Sequence, residues 1–335
     1  MVDSVGIVGL GLIGGSLARR LVNAGCTVMA WNHHPRPYAA ATAEGIECVG
    51  TLEDLAACRP DVLVLCNPLK AMPSLLTTLA PVLDRGTTTL TDVGSVKAQV
   101  RAEVRAAGLD DCYVGAHPMA GTEFSGFEAS DPAIFDDALW ALTVDEHTSL
   151  SRLQQVAGMI CDTLGNRAIV IDDQTHDRAA AMISHMPHAV STALVNMLTT
   201  SDDRNVAAAL AAGSWRDMTR VAMTDPDRTR AMIEENPANV VVLLRDFSAA
   251  VSGFADDLES GNQQALERFF ATGQPYRLYK ARQSDVAQGR GGQRRTLGIS
   301  EANWRDELIE SARRGEWILR FATSRQAEVA VSDWK

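Results

Sequence analysis

Four short stretches carry side chains suited to moving a proton and gripping an anion. "TDVGSVK" (91–97) holds Ser95, and "GAHPMAGTE" (115–123) holds His117 and Thr122. "HDRAAAMISHMPHA" (176–189) holds Ser184, His185 and His188, and "GSWRDMTR" (213–220) holds Gly213, Asp217 and Arg220. Imidazole titrates near neutrality, so His117 suits the removal of a hydroxyl proton while hydride leaves the same carbon. The competing reading is a core histidine held by a backbone carbonyl. Guanidinium binds a carboxylate through two parallel bonds, which suits Arg220 to a substrate that carries a carboxylate. Asp217, three residues earlier, could orient it, and Gly213 would allow close approach.

Ser184 and His188 stand four apart and share a helix face. Pro187 lies between them and removes a backbone donor, so a kink is expected there. His185 points partly away, and a structural role fits it as well as a functional one. His176 and Asp177 open this helix, where an acid suits the first turn, and they read as structural. No glutamate stands between paired histidines and no third ligand is evident, so a zinc site is not expected.

A cofactor would have to accept the hydride. "GLGLIG" (9–14) fits G-x-G-x-x-G, with Gly9, Gly11 and Gly14 between a predicted strand and a helix. Gly9 allows the tight turn, Gly11 the approach of a pyrophosphate, and Gly14 close helix–strand packing. Leu12 and Ile13 begin the helix whose N-terminal amides and dipole would meet the phosphates. A carboxylate about 20 residues on would hold the ribose of NAD. None occurs between residues 4 and 43; the second strand ends instead at Asn32, followed by His33, His34 and Arg36. This pattern tolerates a 2′-phosphate and points to NADP, with NAD as the alternative.

The elements that position these groups change texture along the chain. Strand-like runs at 4–10, 27–32, 61–68, 87–94, 112–118 and 139–146 alternate with helical segments, which predicts a parallel, doubly wound α/β sheet. The fourth and fifth runs would end at Ser95 and His117, on the side where such sheets bind ligands. After about residue 150 the chain turns Ala-, Leu- and Met-rich, broken at Asn236–Pro237, and predicts a helical domain with apolar surface to spare for dimerisation. The expected division is a dinucleotide-binding domain over 1–148, a helical substrate and dimerisation domain over 149–280, and a linker with a C-terminal extension over 281–335. Within the last, 281–298 reads as a flexible linker, and 299–335 carries Trp304, Trp317 and Trp334.

A length of 335 residues is ample for two cores, and a formal charge of −11 argues against general affinity for nucleic acid or anionic membranes. Six cysteines without C-x-x-C spacing read as buried thiols of a reducing compartment. The chain runs almost at once into a strand, so no signal peptide is expected, and no apolar run approaches the roughly 20 residues of a membrane span. The cytoplasm is the expected location.

Taken in order with the glycine loop, the four stretches resemble the prephenate/arogenate dehydrogenase family of tyrosine biosynthesis across about residues 5–280. The resemblance implies a Rossmann-type domain, an all-helical dimerisation domain and a homodimer. It implies NAD(P)-dependent oxidative decarboxylation of prephenate to 4-hydroxyphenylpyruvate, or of arogenate to tyrosine. It makes His117 the base, with Ser95 bonding the same hydroxyl or orienting the imidazole. It places Ser184, His185 and His188 in the substrate pocket and Arg220 on a substrate carboxylate. Two departures stand out. Thr229 occupies the position, soon after "DP" at 225–226, where the family often has tryptophan, and residues 281–335 are too short for an amino-acid-binding regulatory fold. A β-hydroxyacid dehydrogenase would want a lysine base on the long helix, but residues 173–200 contain none. A non-catalytic NADP-binding sensor would leave Ser95, His117 and Arg220 without a common purpose.

Overall fold

The computed structural model describes residues 2–287 and 293–331. The described residues divide into two compact units, 2–177 with 295–329, and 178–287 with 293–294 and 330–331.

The first unit is built on a sheet whose strands follow the expected α/β order. They are β1 (Ser4–Val8), β2 (Thr27–Trp31), β3 (Glu47–Cys48), β4 (Val62–Leu65), β5 (Thr89–Asp92), β6 (Tyr113–Pro118), β7 (Leu139–Thr143) and β8 (Arg167–Ile171). Their spatial order is β3-β2-β1-β4-β5-β6-β7-β8, and the first six are parallel. The order reverses beside β1, the switch point at which doubly wound sheets take their ligand. Val5, Ile7, Val62, Val64, Leu90 and Val114 are fully buried, as strands covered on both faces require.

Two expectations about the sheet and its boundary need correction. The sheet is not parallel throughout: β7 runs antiparallel to β6, with His117 opposite Ala141. The connection between them holds only a 3₁₀ turn, Pro132–Phe135, and without a crossover helix the chain can only double back. The boundary does not fall at 148. The helix Leu150–Gly158 buries Leu153, Val156 and Ala157 in the first core, and β8 pairs with β7 over five residues.

The 281–298 segment is also not a simple linker. Its first part continues the helix Gln274–Ala287, and from Arg294 it is a strand, β9 (Arg294–Gly298). With the helix Trp304–Arg313, β10 (Glu316–Thr323) and β11 (Gln326–Val331), the extension joins the sheet in the order β8-β10-β11-β9. Ile318 pairs with Ala168, so β8 is covered rather than left as an open edge. Trp304, Leu308, Ala327 and Val329 bury themselves in the same core. Residues 288–292 and Trp334 lie outside the described residues.

The second unit is helical. The helix over 173–200 runs across the division between units as Asp173–Ala180, a π-helical turn Ala181–His185, and Met186–Thr200. Pro237 opens the helix Pro237–Ser260 at its first position, where its missing N–H costs nothing. That 24-residue helix is, by length and composition alone, long and apolar enough to cross a bilayer. The expectation that no segment reaches this limit is therefore corrected. Arg245, Asp246, Asp256 and Asp257 interrupt its apolar surface. Met197, Leu210, Val242, Phe247 and Phe270 are also exposed in this unit.

The cysteines are all free thiols, but only Cys112 and Cys161 are buried and Cys58 is exposed. Burial pushes the Cys161 thiol up to about 12.

Candidate active site

The glycine turn after β1 has the predicted stereochemistry. Gly9 sits at φ +103°, a conformation that L side chains avoid, and a Cβ there would press on the Cys66 carbonyl oxygen at 2.9 Å. A Cβ on Gly14 would collide with the Gly9 carbonyl oxygen and the Cys66 side chain. Beside Gly11 a Cβ would meet nothing within 4 Å. The helix Leu12–Asn23 starts there with no side chain capping its N-terminal amides. Open space over uncapped helix amides is what a dinucleotide's pyrophosphate needs, so these residues fit the group.

At the end of β2, Asn32 is turned inward. Its Oδ1 accepts from Leu10 N–H at 2.8 Å and its amide donates to the His34 carbonyl at 2.7 Å. Asn32 thus pins the glycine loop from the position where a ribose-binding carboxylate is usual. His33 and Arg36 are exposed beside it.

Ser95 lies half-buried on the loop that leaves β5. The loop is clamped from beneath. Asp92 accepts from Lys97 Nζ, from the Tyr113 hydroxyl at 2.7 Å and from Gly94 N–H at 2.8 Å, and Lys97 Nζ also donates to the Ala116 carbonyl at 2.9 Å. Desolvation pushes the Lys97 ammonium down against the pull of Asp92, and burial pushes Tyr113 well up.

His117 closes β6, half-buried, on the same sheet as the glycine turn and the Ser95 loop. All three lie at the carboxyl ends of parallel strands, His117 as the penultimate residue of β6. Its Nδ1 lies 2.9 Å from His176 Nε2. His176 Nδ1 in turn lies 2.8 Å from Asp177 Oδ1, and both of these residues are buried. Asp177 also accepts from Lys97 N–H at 2.7 Å and Ala98 N–H at 3.0 Å, the first amides of the helix Ala98–Ala106. Burial alone would raise the Asp177 pKa, but its bonds from His176, Lys97 and Ala98 outweigh that and hold it below the usual carboxylate value.

The partner at the imidazole is therefore His176, not Ser95, and no hydrogen bond joins Ser95 to His117 among the described residues. Sequence reading gave His176 and Asp177 only a structural part. The available signal was the adjacent His–Asp pair at a helix start, but nothing local shows that it meets a strand end 59 residues away. Thr122 is turned to its own loop, where its hydroxyl accepts from Phe124 N–H at 3.3 Å.

In the helical unit, His188 Nδ1 donates to the Ser184 carbonyl at 2.9 Å, so neutral His188 carries its lone pair on Nε2. Ser184 and His188 are both half-buried on one face. Before Pro187 the helix takes a π turn, Ala181–His185, while residues 185 and 186 keep helical dihedrals. His185 is fully buried, its Nδ1 3.2 Å from the Asn236 amide. Arg220 is exposed at the start of a 3₁₀ turn and has no ion pair among the described residues. Asp217 does not orient it; Asp217 lies 3.8 Å from the guanidinium of its sequence neighbour Arg216 instead, both side chains being exposed. Gly213 faces nothing closer than Arg216 Nη2 at 3.9 Å, so no close approach explains it. Thr229 is buried on the helix Pro226–Glu234.

The chain is similar to known proteins over most of its length. The family profile "Prephenate dehydrogenase, nucleotide-binding domain" matches residues 17–170, and "Prephenate dehydrogenase, dimerization domain" matches 172–272. The cyclohexadienyl dehydrogenase of Zymomonas mobilis is 29% identical over 84% of this chain and 97% of its own. The prephenate dehydrogenase of Aquifex aeolicus, solved with hydroxyphenyl propionate and NAD+, is 27% identical with a TM-score of 0.75, covering 83% of this chain and 98% of its own. The Synechocystis arogenate dehydrogenase is 27% identical with a TM-score of 0.71, covering 82% and 98%.

Proposed function

Because the chain belongs to the prephenate dehydrogenase family, we propose that it oxidatively decarboxylates prephenate or arogenate, with NADP+ as the preferred acceptor and NAD+ as the alternative. The observation that carries the reading is the row of groups at the carboxyl ends of the strands: the open glycine turn, the Ser95 loop and His117. The nicotinamide, when bound, supplies the hydride acceptor. Gly9, Gly11, Leu12, Ile13 and Gly14 would hold the pyrophosphate. Asn32 would hold the glycine loop at the ribose end, and His33 and Arg36 would face the adenosine ribose, where no carboxylate repels a 2′-phosphate.

His117 takes the proton of the ring hydroxyl, and Ser95 donates to or accepts from the same oxygen. Loss of the ring carboxylate as CO2 then aromatises the ring, which makes the step strongly downhill. Arg220 holds a substrate carboxylate, and Ser184 and His188 contribute hydrogen bonds to the substrate. The exposed apolar helices of the second unit are assigned to a homodimer, and the enzyme to the cytoplasm.

A turnover assay crossing prephenate and arogenate with NAD+ and NADP+ tests substrate and cofactor together. His117→Asn should lower kcat about 10²- to 10⁴-fold while leaving cofactor binding intact. Retention of full activity in that variant would refute the role of His117. Asn32→Asp should move preference towards NAD+.

A further inference from the structure

We infer that Asp177, acting through His176, holds the His117 imidazole in the tautomer protonated at Nδ1 and so reserves its Nε2 lone pair for the substrate proton. The consequence for catalysis rests on reading His117 as the base; the tautomer itself does not.

An ionised carboxylate only accepts hydrogen bonds. Asp177 is such a carboxylate: two backbone amides at the start of the helix Ala98–Ala106 already donate to it, and a helix N-terminus favours negative charge. His176 Nδ1, 2.8 Å from Asp177 Oδ1, must therefore carry a proton. A neutral imidazole has only one, so His176 Nε2 is an acceptor. It lies 2.9 Å from His117 Nδ1, which must then be the donor. Neutral His117 thus carries its proton on Nδ1, and Nε2 is left to act as the base.

The chain of bonds is anchored at both ends. His117 is fixed by strand pairing with Ala141. The helix that carries His176 is fixed by Arg101, buried at its guanidinium, which pairs with Asp173 and donates to the Thr143 carbonyl at 2.9 Å. Asp177 draws one of its donors from Lys97, whose side chain clamps the Ser95 loop. One framework therefore aims both the base and the neighbouring hydroxyl. Once His117 gains a proton, its Nδ1–H still donates to His176, and the Asp177 charge stabilises the imidazolium through that ring. His176 and Asp177 are positioning residues.

Two measurements on the full chain test this. Histidine-selective 15N–1H correlation spectra at a pH where the ring is neutral read the tautomer without any turnover, with His117→Asn identifying the signal. The expected result is a protonated Nδ1 and an unprotonated Nε2; a His117 protonated at Nε2 overturns the inference. In steady-state kinetics, His176→Leu should lower kcat about 10- to 100-fold with KM nearly unchanged. His176→Gln, whose Oε1 can accept where Nε2 did, should recover most of that loss. Equal behaviour of the two variants, or an effect confined to thermal stability, would reduce His176 to packing and overturn its positioning role. If the spectra show the expected tautomer but neither prephenate nor arogenate is turned over with either cofactor, it is the dehydrogenase reading that fails.

Discussion

Lys97 and Asp92 form an ion pair in which both side chains are fully buried, and the loop between them presents Ser95. Removing one partner of such a pair leaves an uncompensated charge in a low-dielectric interior, which costs far more than the pair itself contributes. Lys97→Met is expected to lower unfolding free energy by about 3–5 kcal/mol in urea titration. The double variant with Asp92→Asn should regain part of it. Additive losses would show that the two groups do not act as a unit.

Gly11 and Gly14 should separate cofactor binding from folding. Gly11→Ala meets open space, so its melting temperature should stay close to that of the parent while dinucleotide affinity falls at least about tenfold, the Cβ taking the phosphate's place. Gly14→Ala drives a Cβ into the Gly9 carbonyl and should lose about 1–3 kcal/mol of stability as well. Isothermal titration with NADP+ and NAD+, beside thermal unfolding, distinguishes the two. Unimpaired cofactor binding by Gly11→Ala would place the pyrophosphate elsewhere.

Arg220 has no ion pair among the described residues, and an exposed guanidinium of this kind is available to an anionic ligand. Arg220→Gln should reduce kcat/KM about 10- to 100-fold, mainly through KM, the worth of a hydrogen bond to a charged group. An unchanged KM for both prephenate and arogenate would remove Arg220 from substrate binding.

Glu316 ties the C-terminal extension together. Burial would raise its pKa, but hydrogen bonds from Arg295, Arg314 and Ser311 overcome this and hold it at about 2, against an ordinary value of 4.5. A carboxyl depressed in the folded state contributes stability that is fully present above the unfolded value and is lost as pH falls towards the folded one. The urea midpoint should therefore drop between about pH 4.5 and pH 2, and Glu316→Gln should flatten that part of the profile. A profile identical in parent and variant would assign the acid sensitivity to other carboxylates.

Much of this protein could be read from its residues in order. The glycine turn, the alternation of strands and helices, the carboxyl-end positions of Ser95 and His117 and the helical second half all follow from local rules. Turn stereochemistry and hydrophobic period depend on near neighbours along the chain. What failed locally were features set by partners far away. The reversal of β7 and the capture of residues 149–177 and of the extension by the first core were settled by which surfaces found each other. The same holds for the imidazole: its residue type promised a base, but only folding, by bringing His176 and Asp177 against it, decided which nitrogen carries the proton. Hydrogen-bond direction is a property of packed neighbours, and no spacing along a chain encodes it.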